Sequence, residues 1–198
     1  NGTSMVTLYY LRRFLKFWEN KIRQVEISEF SISNDVLVLF ENVIAIFNEN
    51  QDQLSKDVTD IDRRKITDLL GIAHSNYRTK IYTKSFKGRK RNLTRGSLLE
   101  FIKLSLKYID HSIKKNKRHD GLYHAYNLIT LKKDEISIRH LYEMLEGQVA
   151  VLSSGLLKAR ESLEILDALK QSEMFRDDQY SYMLYPDRQL KRFTDKNK

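Results

Sequence analysis

The chain has 198 residues, 41% of them hydrophobic, which is enough to bury a sizeable core and excludes a fully disordered polymer. It contains no cysteine, so disulfides, thiolate nucleophiles and cysteine-ligated zinc are excluded together. Its net charge of +9 is uneven: residues 78–118 hold fourteen Lys/Arg against Glu100 and Asp110, a local excess of +12 that suits phosphate-rich or acidic partners.

One proline, Pro186, and seven glycines leave long stretches without helix breakers. Residues 1–4 precede Met5 and are set aside as a cloning remnant or an upstream continuation. From Val6 to Val25, the residues Leu11, Phe14, Leu15, Trp18, Ile22 and Val25 recur at steps of three and four, which puts them on one helical face. Tyr9, Tyr10 and Phe17 widen that apolar surface, so this helix is expected to touch more than one neighbour. Asn34 or Asp35 caps a second helix, whose dense apolar content over 36–47 predicts a central position. A polar turn over 51–57 leads to a third helix, opened by Thr59 or Asp60 and ending near His74. Residues 78–96 read as a basic surface loop.

Ser97, with Glu100 three residues later, has the spacing of a capping box, and a helix to about Asn116 follows. Its last turn is rich in lysine, which suits the negative end of the helix dipole. Residues 118–127 interrupt the pattern around Gly121. Ile138, Leu141, Tyr142, Leu145, Val149 and Leu152 form the next helical stripe, closed by Ser153-Ser154-Gly155. A helix over about 158–171 then completes an antiparallel helical hairpin. A polar-aromatic loop over 176–186 and a frayed tail at 194–198 end the chain. The expected fold is therefore all-α, built of antiparallel helical hairpins in a single domain over 5–193. No apolar run approaches the ~18 residues of a membrane span, and the N-terminus lacks a signal-peptide pattern, so membrane insertion is not expected.

Two constellations carry candidate chemistry. Asp120, Tyr123, His124 and Tyr126 combine a carboxylate, an imidazole and aromatic faces in one Gly-containing connection, a set suited to carbohydrate contact; the same residues also serve to plug the end of a helical core. Lys87, Arg89, Lys90 and Arg91 could neutralise nucleic-acid phosphates, with Tyr77, Tyr82 and Phe86 as stacking surfaces, but no helix-turn-helix, zinc-finger or RNA-binding signature accompanies them. Glu143 and Glu146 are close enough on a helix to pair, although glycosidase carboxylates approach the scissile bond from opposite sides. The five histidines lack zinc-ligand spacing, and no phosphate loop or nucleophile elbow occurs, so no metal and no cofactor are implied.

DGLYHAYN at 120–127, LEGQVAVLSSGLL at 145–157 and YMLYPDR at 182–188 resemble part of large bacterial proteins related to six-hairpin glycosidases and cellobiose-phosphorylase-like enzymes. The resemblance covers roughly 95–193. It implies helical hairpins in an (α/α)6 toroid with carbohydrate bound where inner-helix ends converge. About six or seven helices are predicted where a complete toroid has twelve, so this chain would supply half of one. No segment matches an acid-bearing motif, and the catalytic residues stay unknown. The resulting expectation is a fragment or reduced relative of a carbohydrate-active toroid, glycosidase-like only within a complete one. The alternatives are a helical interaction or nucleic-acid-binding module using 78–118, and a structural domain of a larger helical assembly.

Overall fold

The computed structural model describes residues 2–85, 88–187 and 190–197. It overturns the all-α expectation and, with it, the simple stack of helical hairpins: helix accounts for 59% and strand for 16%, with three antiparallel sheets. No helix among the described residues is long and apolar enough to cross a membrane.

Strand β1 (Gly2–Ser4) runs directly into helix α1 (Met5–Gln24), whose N-cap Ser4 accepts a hydrogen bond from Thr7 N–H. The four residues set aside at the sequence level thus include a strand. It pairs with β4 (Tyr126–Leu131), which pairs in turn with β5 (Ile136–His140) to give the order β1-β4-β5. The register places Ser4 opposite Tyr126 and Asn127 opposite His140. Ile136 and Ile138 alternate with Ser137 and Arg139, the period of a strand, so the helical stripe expected from Ile138 is broken at its start.

Strand β2 (Glu29–Ser33) leads into α2 (Asn34–Glu49), capped by Ser33 rather than Asn34 or Asp35. Only Asp35, Leu37 and Ile46 of α2 are buried, so this helix is peripheral and not central. After a 3-10 turn at Gln51–Ser55, α3 (Asp60–Lys84) runs ten residues beyond the expected His74, with Thr59 as its N-cap. Strand β3 (Lys90–Thr94) pairs with β2 and carries the chain into α4 (Arg95–Lys115). The basic loop expected over 78–96 is therefore mostly helix end and strand. Thr94, not Ser97, caps α4 by accepting from Ser97 N–H at 3.0 Å.

Helix α5 (Leu145–Ser153) ends at Gly155, whose φ of +69° favours a residue without a Cβ. Helix α6 (Ala159–Gln171) follows, then the short pair β6 (Phe175–Arg176) and β7 (Ser181–Tyr182), and α7 (Phe193–Lys196).

The main core joins Met5 and Tyr9 of α1, Ile109 and Ile113 of α4, Ala150 and Val151 of α5, and Ile165 and Leu169 of α6 around Leu122 and Tyr123. The 118–127 connection thus runs through the middle of the fold. Ala125 is fully buried, and its carbonyl accepts from Met5 N–H at 2.9 Å. Gly147 rests on the same residue so closely that a Cβ there would lie 2.9 Å from Ala125 Cβ, which explains a glycine in the first turn of α5.

Candidate functional site

The four carbohydrate-contact candidates lie close in sequence, but the structure gives them different tasks. Tyr123 is only 4% exposed, and its ring meets Tyr9 edge-to-face at 6.4 Å. Its backbone N–H donates to Gln148 Oε1 at 2.8 Å, and its carbonyl accepts from Gln148 Nε2 at 2.7 Å. The amide of Gln148 thereby replaces a neighbouring strand's peptide group. Tyr123 is a core residue and cannot present a ring to a sugar. Tyr126 is half-buried as the first residue of β4.

Asp120 accepts from Arg118 Nη2 at 2.7 Å and from Leu122 N–H at 3.1 Å, tightening the turn at Gly121. Arg118 also reaches Glu143 Oε2 at 3.1 Å. Burial raises the Asp120 carboxyl, yet the Arg118 and Leu122 bonds outweigh it and hold its pKa below the ordinary value. The Asp120 bond in turn raises the Arg118 guanidinium. These charges satisfy one another within the chain.

His124 and His140 stack face to face, with centroids 3.9 Å apart and planes 7° from parallel. Behind them runs a continuous polar chain. His140 Nδ1 lies 2.8 Å from Asn127 Oδ1, and Asn127 Nδ2 donates to Asn116 Oδ1 at 3.1 Å. Since Asn127 presents its oxygen, His140 Nδ1 carries the proton. Asn116 Nδ2 then donates to Tyr9 Oη at 2.5 Å and to the His124 carbonyl at 2.7 Å, which also accepts from Tyr9 at 2.8 Å. Burial pushes the Tyr9 phenol up. His124 Nδ1 is buried without a hydrogen-bond partner. Burial, His140 and Arg118 together lower the His124 imidazole from 6.5 to about 4, with the Leu141 backbone and Asp120 pulling the other way. Burial and Arg118 lower His140 as well. Among the described residues no three His, Asp or Glu side chains are grouped to hold a metal ion.

Of the basic candidates, Arg89, Lys90 and Arg91 are consecutive at the start of β3. Lys87 lies outside the described residues, as does Phe86. Arg91 is committed to Glu41 at 2.9 Å, while Arg89 and Lys90 are exposed and carry no ion pair among the described residues. Elsewhere in the basic segment Lys80 engages Asp35 at 2.6 Å, Lys115 engages Asp57, and Arg118 engages its two carboxylates. With Lys117 beside Glu164, five of the fourteen cations of 78–118 thus have carboxylate partners among the described residues.

A feature missed at the sequence level lies on α1. The face turned inward presents Met5, Tyr9, Arg12, Glu19 and Ile22. Arg12 is 8% exposed and grips Asp110 at 2.6 Å and the Ser154 carbonyl at 2.8 Å, tying α1 to α4 and to the end of α5. Glu19 is 5% exposed and accepts from Lys16 and Arg23, at 2.6 and 2.7 Å. Both bonds, with the Lys16 contribution larger, depress its pKa. The face turned outward carries Tyr10, Leu11, Phe14, Phe17 and Trp18, each between 41% and 56% exposed. These five span about 120° of arc at ~100° per residue. The apolar stripe of α1 read from the sequence is thus exposed at Leu11, Phe14 and Trp18. Of that stripe only Ile22 is buried, with Leu15 and Val25 half-buried.

An open groove of about 400 Å³ between α2 and β3 is lined by Leu37, Phe40, Ile44 and Leu93, with Asn48 and Asn92. None of the sequence-level candidates lines it. No protein-family model matches the chain, and no curated protein matches it.

Proposed function

We propose that this chain is an interaction module whose α1 is held against the domain by one face so that its other, aromatic face is covered by another polypeptide. The reading is nearest to the alternative of a structural domain within a larger assembly, and it places the contact on α1 and not on 78–118. One observation carries it: α1 buries an arginine and a glutamate while exposing two phenylalanines, a tryptophan, a tyrosine and a leucine. Buried charges cost free energy unless they are fully paired, and both here are. The inward face is therefore settled, and the outward face is apolar surface left over. Contiguous apolar patches on a domain surface mark association sites far more than scattered single residues do.

Trp18 is the chain's one tryptophan and reports directly on this surface. In the dilute monomer its emission should match a water-exposed indole, and acrylamide should quench it efficiently. A blue, shielded emission that persists on dilution would show that the face is already covered within the chain, and the reading would be wrong.

A further inference from the structure

Resting on that reading, we infer that the occupant of the α1 face is an amphipathic helix flanked by acidic residues. Leu11, Phe14, Trp18 and Lys21 recur at steps of three, four and three, the seam spacing by which one helix packs along another. The seam extends about 15 Å at ~1.5 Å per residue, some three turns of a partner helix.

The aromatic rings meet edge-on: Phe14 and Trp18 lie 6.1 Å apart at 73°, Phe17 and Trp18 5.7 Å apart at 80°. Rings turned into one another form a packing ridge, whereas nucleobase stacking needs ring faces laid open. The geometry therefore favours side-chain interdigitation over a nucleic acid.

Charge decides which helix. Glu19 is the only carboxylate on α1, and it is buried between Lys16 and Arg23. The exposed charges of this helix are all cationic. Arg13 borders the aromatic face, and Lys21 Nζ sits 5.7 Å above the Phe17 ring; neither has an ion pair among the described residues. A second copy of α1 would bring like charges together along the seam. A partner carrying Asp or Glu beside its apolar stripe would neutralise Arg13 and Lys21 as it covers the rings.

The test uses the intact chain and reads Trp18 emission during titration with synthetic amphipathic helices of about three heptads. One peptide carries glutamates flanking a leucine seam, and a second carries lysines instead. Phosphatidylserine vesicles and a single-stranded oligonucleotide are titrated in parallel. The expected result is a blue shift with the glutamate peptide, at least about tenfold tighter than with the lysine peptide. Arg13→Glu/Lys21→Glu should reverse that order, with an unchanged circular dichroism spectrum and thermal midpoint confirming the fold. Equal binding of both peptides, unaffected by the reversal, would overturn the acidic-helix inference while leaving a docking face in place. A response to vesicles or oligonucleotide alone would overturn the inference in favour of those surfaces. Silence toward all four would count against both the inference and the interaction reading.

Discussion

Replacing Gln148 by leucine lowers the unfolding free energy by about 3–5 kcal/mol, since it leaves buried peptide groups unpaired at ~1–3 kcal/mol each. Gln148 is fully buried, and its side-chain amide bonds to the N–H and the carbonyl of Tyr123 and to the Met144 carbonyl. Leucine keeps most of the volume and removes all three bonds, so the loss measures hydrogen bonding more than packing. The Tyr123 segment is held on its other edge by Arg118 N–H to the Leu122 carbonyl and by His124 N–H to the Asn116 carbonyl. Those bonds leave the Tyr123 peptide groups with no substitute for Gln148. Urea denaturation of wild type and Gln148→Leu at neutral pH gives the difference, which should appear in the midpoint without a change in slope. A cost below about 1 kcal/mol would mean that the connection does not depend on this amide.

The second large effect is a loss of stability in mild acid. His124 titrates near 6.5 when unfolded and at about 4 in the folded chain. Between those values the unfolded chain binds the proton and the native protein does not, so protonation favours unfolding. Full stability is present above about pH 6.5, falls as the pH drops toward 4, and is not lost further through this group below that. At ~1.4 kcal/mol per unit, and allowing for partial solvent contact, the loss is about 2–3 kcal/mol. Burial of the ring is the largest cause of the shift; His140 stacked on it and Arg118 add to it, and the Leu141 backbone and Asp120 compensate only in part. Urea midpoints from pH 7 to 4 should fall along this curve in wild type. They should fall much less in His124→Phe, which retains a flat ring against His140. An identical slope in both proteins would remove His124 as the cause.

The helices were legible because their signals are local. The apolar steps of α1, the polar break after α2, and Ser153-Ser154-Gly155 after α5 each specify an element or its end without reference to the rest of the fold. The strands were not, because each is short and finds its partner far away. β1 pairs with β4 across more than a hundred residues, and β2 with β3 across some sixty. Glu29-Phe30-Ser31-Ile32-Ser33 does alternate polar with apolar, a signal that could have been found. Residues 138–152 misled because Ile138 and Leu141 match a helical period by coincidence with the stripe beyond them.

The candidate site was legible in part. The unusual character of 118–127 was visible, and the segment does occupy the centre of the molecule. Tyr123 serves the core there, packed on Tyr9, while Asp120 at the exposed start of the segment is held by Arg118. For α1 the apolar pattern is visible in the sequence, but nothing local in it says which face the domain covers. Hydrophobic periodicity identifies a face that will be covered, and it cannot say whether the cover comes from the same chain. The burial of Met5, Tyr9, Arg12, Glu19 and Ile22, with the Arg12–Asp110 pair to α4, shows that the opposite face turns inward.

Urea unfolding of Leu11→Gln/Phe14→Gln/Phe17→Gln, three changes to a residue that suits exposed helix, decides whether the aromatic face of α1 belongs to a partner or to this fold's own core. If it belongs to a partner, the unfolding free energy of the isolated chain stays within about 1 kcal/mol of wild type, as expected at surface positions. A loss of more than about 5 kcal/mol, the scale of emptying several core sites, would contradict it.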